Sequence, residues 1–274
     1  DEILKFFFSE YYGESKYKNF KDKLEAINYE LLKCKECKFV WQKSIPNKNF
    51  SIDLYENIID SEQSLKKSKL KFHNQKNSNK KEIKKIICYF EKEKINILDF
   101  GAGWGHWLMS GPETYYDPYA FELSPSRKKF IISNGIKVLN LDTINSYENF
   151  FHYIRLDQVL EHLDEPNDAI KIMKKLGKKN CIFFVSVPDG REIIEKEKIL
   201  HVKKGPVQPL EHLNCFSKYS LKKFLDMHGF RPLNLQETIM MNIKDFRLDV
   251  ISLKSFFQDI KSYFFSTTIK FKLK

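Results

Sequence analysis

Hydrophobic positions along this chain follow two rhythms, helical spacing and short unbroken apolar runs, and the two alternate. Ile83, Ile86, Ile87 and Phe90 recur at helical spacing, and Ile95-Asn96-Ile97-Leu98 then predicts a buried strand running into Asp99 and a glycine-rich turn. Tyr119-Ala120-Phe121 predicts a second strand ending at Glu122. Ser124-Pro125 opens a helix through Phe130, Ile131 and Ile132 that stops at Gly135. Ile136 to Leu139 and Tyr153-Ile154-Arg155-Leu156 read as the third and fourth strands. Pro166 starts a helix carrying Ala169, Ile170, Met173 and Leu176, capped by Gly177. Cys181-Ile182-Phe183-Phe184-Val185 is the most strand-like run and leads to Val187-Pro188-Asp189. Ser217 or Ser220 opens a helix that ends near Gly229, and Phe230 to Leu235 resumes as a strand. Strands alternating with helices in this way predict an α/β fold with a doubly wound, mostly parallel sheet.

The flanks differ in texture. Residues 1–60 read as a small N-terminal appendage, aromatic-rich, in which Cys34-Lys35-Glu36-Cys37 leads into a short strand around Phe39. Residues 61–82 are dense in Lys, Ser and Asn and read as a solvated helix or linker. The α/β domain occupies 83–240. In 241–274, Val250, Leu253, Phe256, Phe257, Ile260 and Phe264 share one helical face, and Ile269-Lys270-Phe271-Lys272-Leu273 alternates like a last strand.

Composition narrows the function. With 274 residues, 42% of them hydrophobic, the chain can bury one good core and a small appendage. No run approaches the roughly 18 apolar residues of a membrane span, and the first residues lack the layout of a signal peptide, so a cytoplasmic protein is expected. The net charge of +11 comes from Lys spread over the whole chain rather than from a stripe, so nucleic acid is not the expected partner. Five cysteines with only one close pair do not make a disulfide framework. Cys34-x-x-Cys37 is half of a four-ligand zinc site, and no metal is assigned to it.

The chemistry concentrates at the glycine turn. Glycines let a backbone approach a cofactor closely, and a dinucleotide fold spaces them G-x-G-x-x-G. Here Gly101, Gly103 and Gly105 alternate and the sixth position holds the bulky His106. That disfavours a pyrophosphate and suits an adenosine cofactor without one. Glu122, at the end of the next strand, is placed to accept the ribose hydroxyls. Two Glu-His pairs, Glu161-His162 and Glu211-His212, offer bases of near-neutral pKa for removing a proton from an acceptor.

Asp99-Phe100-Gly101-Ala102-Gly103-Trp104-Gly105, then Phe121-Glu122-Leu123-Ser124-Pro125, then Gln158-Val159-Leu160-Glu161-His162-Leu163 with Pro166, resembles class I S-adenosylmethionine (SAM)-dependent methyltransferases. The most similar branch acts on small molecules, sugars and quinone precursors, and the likeness covers about residues 83–235. It implies a seven-stranded sheet with SAM across the carboxyl ends of the strands. By that resemblance Asp99, Gly101 and Gly103 line the methionine part, with Trp104 beside them in the turn. Glu122 holds the ribose and Leu123 packs beside the adenine. Asp142 matches the adenine-proximal acid, and Gln158 lies where the fourth strand meets the cofactor. The chain departs from the pattern at Gly111-Pro112, at Pro118 just before the second strand, and at Phe151-His152, where the usual acid is replaced.

The segment Pro209-Leu210-Glu211-His212-Leu213-Asn214-Cys215-Phe216-Ser217 is similar to the family's substrate-side Glu-His stretch. Deoxysugar C-methyltransferases carry a Tyr three residues before that His. Pro209 stands there in this chain, which leaves a simple His base. The branch also often carries two Cys-x-x-Cys pairs before the domain, of which Cys34/Cys37 matches the second. The expected function is transfer of a methyl group from SAM to a small polar acceptor such as a sugar or nucleotide-sugar. The candidate catalytic residues are His212, Glu211 and His162. The alternatives are a nucleic-acid-directed methyltransferase, whose usual Asn/Asp-Pro-Pro-Tyr/Phe motif is absent after the fourth strand, and a non-catalytic SAM-binding subunit.

Overall fold

The computed structural model describes residues 2–25, 28–58, 61–91, 94–196, 205–243 and 266–274. Helices α1 (Glu2–Tyr12) and α2 (Glu14–Glu25) meet at Gly13, whose φ of +96° makes the sharp corner that glycine tolerates. Strands β1 (Leu31–Lys33) and β2 (Val40–Gln42) pair antiparallel, and the turn between them carries the free thiols Cys34 and Cys37. Helix α3 (Lys48–Asp53) is capped by Asn47, whose side chain accepts from Phe50 N at 2.9 Å, and continues as a π-turn over Leu54–Ile58.

Helix α4 (Ser61–Phe90) unites two stretches that the sequence pattern separates at residue 83. Ile83 and Ile86 near its C-terminal end are fully buried, while Leu70 is exposed. Its polar first half is therefore carried by an anchored second half.

The α/β portion runs β3 (Ile95–Phe100), β4 (Tyr116–Phe121), α5 (Pro125–Ser133), β5 (Lys137–Leu139), β6 (Phe151–Asp157), α6 (Pro166–Leu176) and β7 (Gly177–Ser186). Then come α7 (Arg191–Lys196), β8 (Asn214–Cys215), α8 (Lys218–Met227), β9 (Phe230–Pro232), α9 (Leu235–Ile243) and β10 (Thr268–Leu273). Seven strands form one sheet in the order β5-β4-β3-β6-β7-β10-β9. Pairs among β3 to β7 are parallel, and β10 runs antiparallel between β7 and β9. This is the expected doubly wound, mostly parallel sheet. The central strands are apolar on both faces, with clusters around Leu98, Ile154 and Phe183 on one side and Ile97, Tyr153 and Ile182 on the other. The last strand predicted over Ile269 to Leu273 is β10. The helical face from Val250 to Phe264 lies outside the described residues.

Local differences have local causes. Pro118 lies inside β4 opposite Ile97, not before it; β5 pairs only from Tyr119 onward, so the missing N–H falls where β4 has no second neighbour. Gly177 does not cap α6 in a left-handed turn but begins β7 with extended backbone, and a Cβ there would sit 2.5 Å from the Phe183 ring. The strand predicted over 230–235 stops at Pro232, because Asn234 and Glu237 each donate a backbone N–H to the other's side-chain oxygen and so start α9. Both serines considered as the start of α8 take part: Ser217 is the cap and Ser220 completes a capping box.

The N-terminal residues are sewn onto this frame. β8 pairs with β2, making the three-stranded sheet β1-β2-β8, and Leu210 packs into the cluster of Leu4, Phe8, Tyr17, Leu24, Leu54 and Ile58. Among the described residues no helix is long and apolar enough to cross a membrane.

Candidate functional site

β3 is the first strand of the sheet in chain order and lies third in it, inside β5 and β4; the chain winds out through β4 and β5 and returns to β6 on the other flank. In doubly wound sheets, ligands bind outside the carboxyl ends of the strands at such a reversal. The glycine turn sits there. Gly101, Gly103 and Gly105 have φ of +79°, +57° and +69°, a region costly for any residue with a Cβ. Gly101 N and Ala102 N both donate to Phe121 O, at 2.7 and 3.1 Å, tying the turn to the end of β4. A Cβ on Gly101 would come within 2.6 Å of Val159 Cγ2, whereas one on Gly103 would meet nothing within 4 Å. Gly101 is thus required by packing, and Gly103 leaves a space open. Gly101→Ala is expected to cost about 2–4 kcal/mol from the left-handed backbone and the Val159 clash together, read from the urea unfolding midpoint.

Glu122, 9% exposed, faces this turn. Its carboxylate accepts from Gly103 N (2.8 Å), Leu123 N (2.8 Å) and Ser124 N (3.0 Å), with Arg127 Nη1 at 3.9 Å. Those bonds hold it rigidly and leave part of its acceptor capacity for hydroxyl groups. Leu123 is exposed beside it, and Asp142 is exposed just past β5. Gln158 takes a left-handed φ of +57°, donates its backbone N–H to Ser186 O and bonds Ser186 Oγ through its side chain. The Trp104 ring turns toward α4 and α5, donating to Ser64 Oγ and meeting Phe130 edge-on. His106 pins the turn to α4 by stacking on Phe72 and bonding Ser68 Oγ at 2.7 Å.

Asp99 is 2% exposed and engaged by Arg155 from the neighbouring strand, at 3.2 and 3.4 Å. Arg155 also reaches Asp157 at 2.5 Å, and its guanidinium lies over the Trp107 and Phe184 rings, 4.7 and 5.5 Å from their centres. Burial pushes the Asp99 carboxyl up to about 6, against the pull of the Arg155 charge. Sequence reasoning missed Arg155 and Asp157. The available signal was a guanidinium in an otherwise apolar strand, which must find a partner.

The structure brings the two Glu-His pairs together. Glu161 and His162 lie in the single turn Leu160–His162 after β6; Glu211 and His212 precede β8. The His162 and His212 rings meet edge-on at 4.8 Å. His162 Nδ1 lies 2.8 Å from Glu211 O and His212 Nδ1 lies 2.7 Å from Gly205 O. A carbonyl only accepts, so both rings donate from Nδ1 and carry their lone pair on Nε2 when neutral. Glu161 is buried, with Oε1 3.9 Å from His162 Nε2, and burial pushes its carboxyl up to about 8.

Two tyrosines of the N-terminal unit complete the cluster, and sequence spacing gave no sign of them. The Tyr12 hydroxyl donates to Glu211 Oε1, which also accepts from Gln208 Nε2 at 2.8 Å; the Tyr55 hydroxyl sits 3.3 Å from His162 Nδ1. Burial and the Glu211 charge raise both phenols, so they stay protonated. Pro209 removes a tyrosine from the local motif, and α1 supplies one from the far end of the chain.

With this geometry in place, comparison with known proteins agrees. Residues 72–235, more than half of the chain, match a family described as a methyltransferase domain. The chain belongs to this methyltransferase family, and its cofactor is SAM. Among curated proteins, none matches it. Similar solved structures include a 1,6-didemethyltoxoflavin-N1-methyltransferase from Burkholderia thailandensis with S-adenosylhomocysteine bound (14% identity, 75% of this chain and 90% of that one, TM-score 0.48). A SAM-dependent methyltransferase from Archaeoglobus fulgidus (17%, 77% and 97%, TM-score 0.43) and the [4+2]-cyclase SpnF (14%, 70% and 81%, TM-score 0.46) are also similar.

Proposed function

We propose that this methyltransferase acts on a small polar acceptor, a sugar or nucleotide-sugar being the first class to test, and that the acceptor's proton leaves at the His162–His212 cluster. The observation that carries the reading is the meeting of Glu161, His162 and His212 beyond the ends of the strands, in the same layer as the glycine turn. The three alternating glycines and the Glu122 carboxylate would hold SAM, with Gln158 and Leu123 at the rim. When bound, SAM supplies a methyl group already activated by its sulfonium. The chain's own task is then to hold the acceptor in line and to take its proton.

The imidazoles suit that task because each is oriented through Nδ1 by a backbone carbonyl. Glu211 is locked by Tyr12 and Gln208, which fixes the carbonyl that orients His162.

Calorimetry with SAM and with S-adenosylhomocysteine tests the cofactor half. Glu122→Ala is expected to weaken both by about 10- to 100-fold, the range for losing hydrogen bonds to a charged group. Unchanged affinity would refute the ribose assignment. Transfer of labelled methyl to a panel of sugars, nucleotide-sugars and RNA tests the acceptor half, and labelling of RNA alone would overturn it.

A further inference from the structure

Glu161 breaks the pattern that buried polar groups are partnered. It is 1% exposed, and among the described residues neither carboxylate oxygen has a hydrogen-bond partner. Its turn is held in place: Asn214 Nδ2 donates to Leu160 O at 3.0 Å and to Leu163 O at 2.6 Å. The carboxylate is therefore held in a spot where none of the described residues satisfies it. Facing it are His162 and His212, and one ligating atom from each of the three residues lies within 4.8 Å of the others.

The imidazoles are prepared in a particular way. Each has its Nδ1 against a main-chain carbonyl, which sets the tautomer and directs the lone pair to Nε2. Metal-ligating histidines are oriented in this manner. One carboxylate and two imidazoles make a mixed oxygen and nitrogen set, which favours zinc and its neighbours over calcium or magnesium, whose ligands are oxygens. Bonds of about 2.0–2.2 Å would draw the donors to about 3–3.5 Å from one another, a closure within reach of small side-chain rotations.

We propose that Glu161, His162 and His212 form a binding site for one divalent transition-metal cation of the zinc and cobalt class. Three protein ligands leave a coordination position open, as in catalytic rather than structural zinc sites. A role for that position rests on the transfer reading above. It would take an acceptor oxygen and lower its pKa, so that the preferred acceptors carry a hydroxyl. With a cation bound, the two imidazoles would be its ligands in place of acting as the base, and the acceptor's hydroxyl proton would pass to solvent; without one they keep the role of base.

The experiment uses the full chain in a Cys34→Ser/Cys37→Ser background, which removes the competing thiols. Zinc content after dialysis is expected at one per chain, and Co²⁺ titration should give one saturable absorbance change. Glu161→Gln and His212→Ala should each weaken the metal by at least about 100-fold while SAM affinity, measured in parallel, confirms the fold. If Glu161→Gln fails that check, His212→Gln carries the same reading. No bound metal in the parent chain, or equal affinity in the ligand variants, overturns the site and leaves the transfer reading standing. Metal bound through these residues with no methyl transfer to any acceptor supports the site and overturns the transfer reading.

Discussion

Arg155→Ala is expected to cost about 3–5 kcal/mol of folding stability, because it strands a buried carboxylate. Asp99 is 2% exposed and Arg155 is its ionic partner in the sheet, while Asp157 shares the same guanidinium. The side chain also covers Trp107 and Phe184, so packing is lost with the charge. The loss should depend on pH in a definite direction. The folded-state pKa of Asp99 is already raised by burial to about 6, above its ordinary 3.8, so its protonated form is the better tolerated one inside. A carboxyl with a raised folded pKa contributes most to stability below its unfolded pKa and loses that contribution as pH rises through the folded value. Without Arg155 the folded pKa moves higher still. The variant should therefore lose more stability at pH 8 than at pH 5. Urea unfolding across that range checks this, and Arg155→Ala/Asp99→Asn should remove most of the pH dependence. A loss independent of pH would mean that the guanidinium acts by packing alone.

The second large effect is at the cluster. His212→Ala is expected to lower turnover by about 10²- to 10⁴-fold, the range for a group that handles the acceptor's proton, with SAM affinity unchanged. The split is the informative part. His212 stands on the segment before β8, joined to the N-terminal hairpin and held by Gly205 O, whereas the glycine turn and Glu122, proposed to hold SAM, follow β3 and β4. Parallel loss of turnover and SAM binding would point to a collapsed loop, and retained turnover would remove His212 from the chemistry.

The local signals in this chain were strong where one strand, one turn and one helix act together. Ser124-Pro125 capping α5, Gly135 ending it and the run from Cys181 to Val185 needed no distant partner to be read, because turn chemistry and burial period are properties of adjacent residues. Boundaries were lost where a contact from elsewhere decided them. Gly177 is excluded from bearing a side chain by Phe183 across its own strand, and Asn234 with Glu237 turns a strand into a helix. The two halves of α4 look different in sequence because only the second is buried.

The sequence by itself determined the α/β winding, the glycine turn and its acidic partner, since each is encoded by spacing along a few dozen residues. Only the tertiary structure decided what the polar groups do to one another. It joined Asp99 to Arg155 across two parallel strands, brought His162 beside His212 from segments about fifty residues apart, and reached to α1 for Tyr12 and to the π-turn for Tyr55. The physical reason is that a side chain's partner is set by which elements the sheet order makes neighbours. Hydrophobic periodicity states which face is buried but not what the buried face will meet.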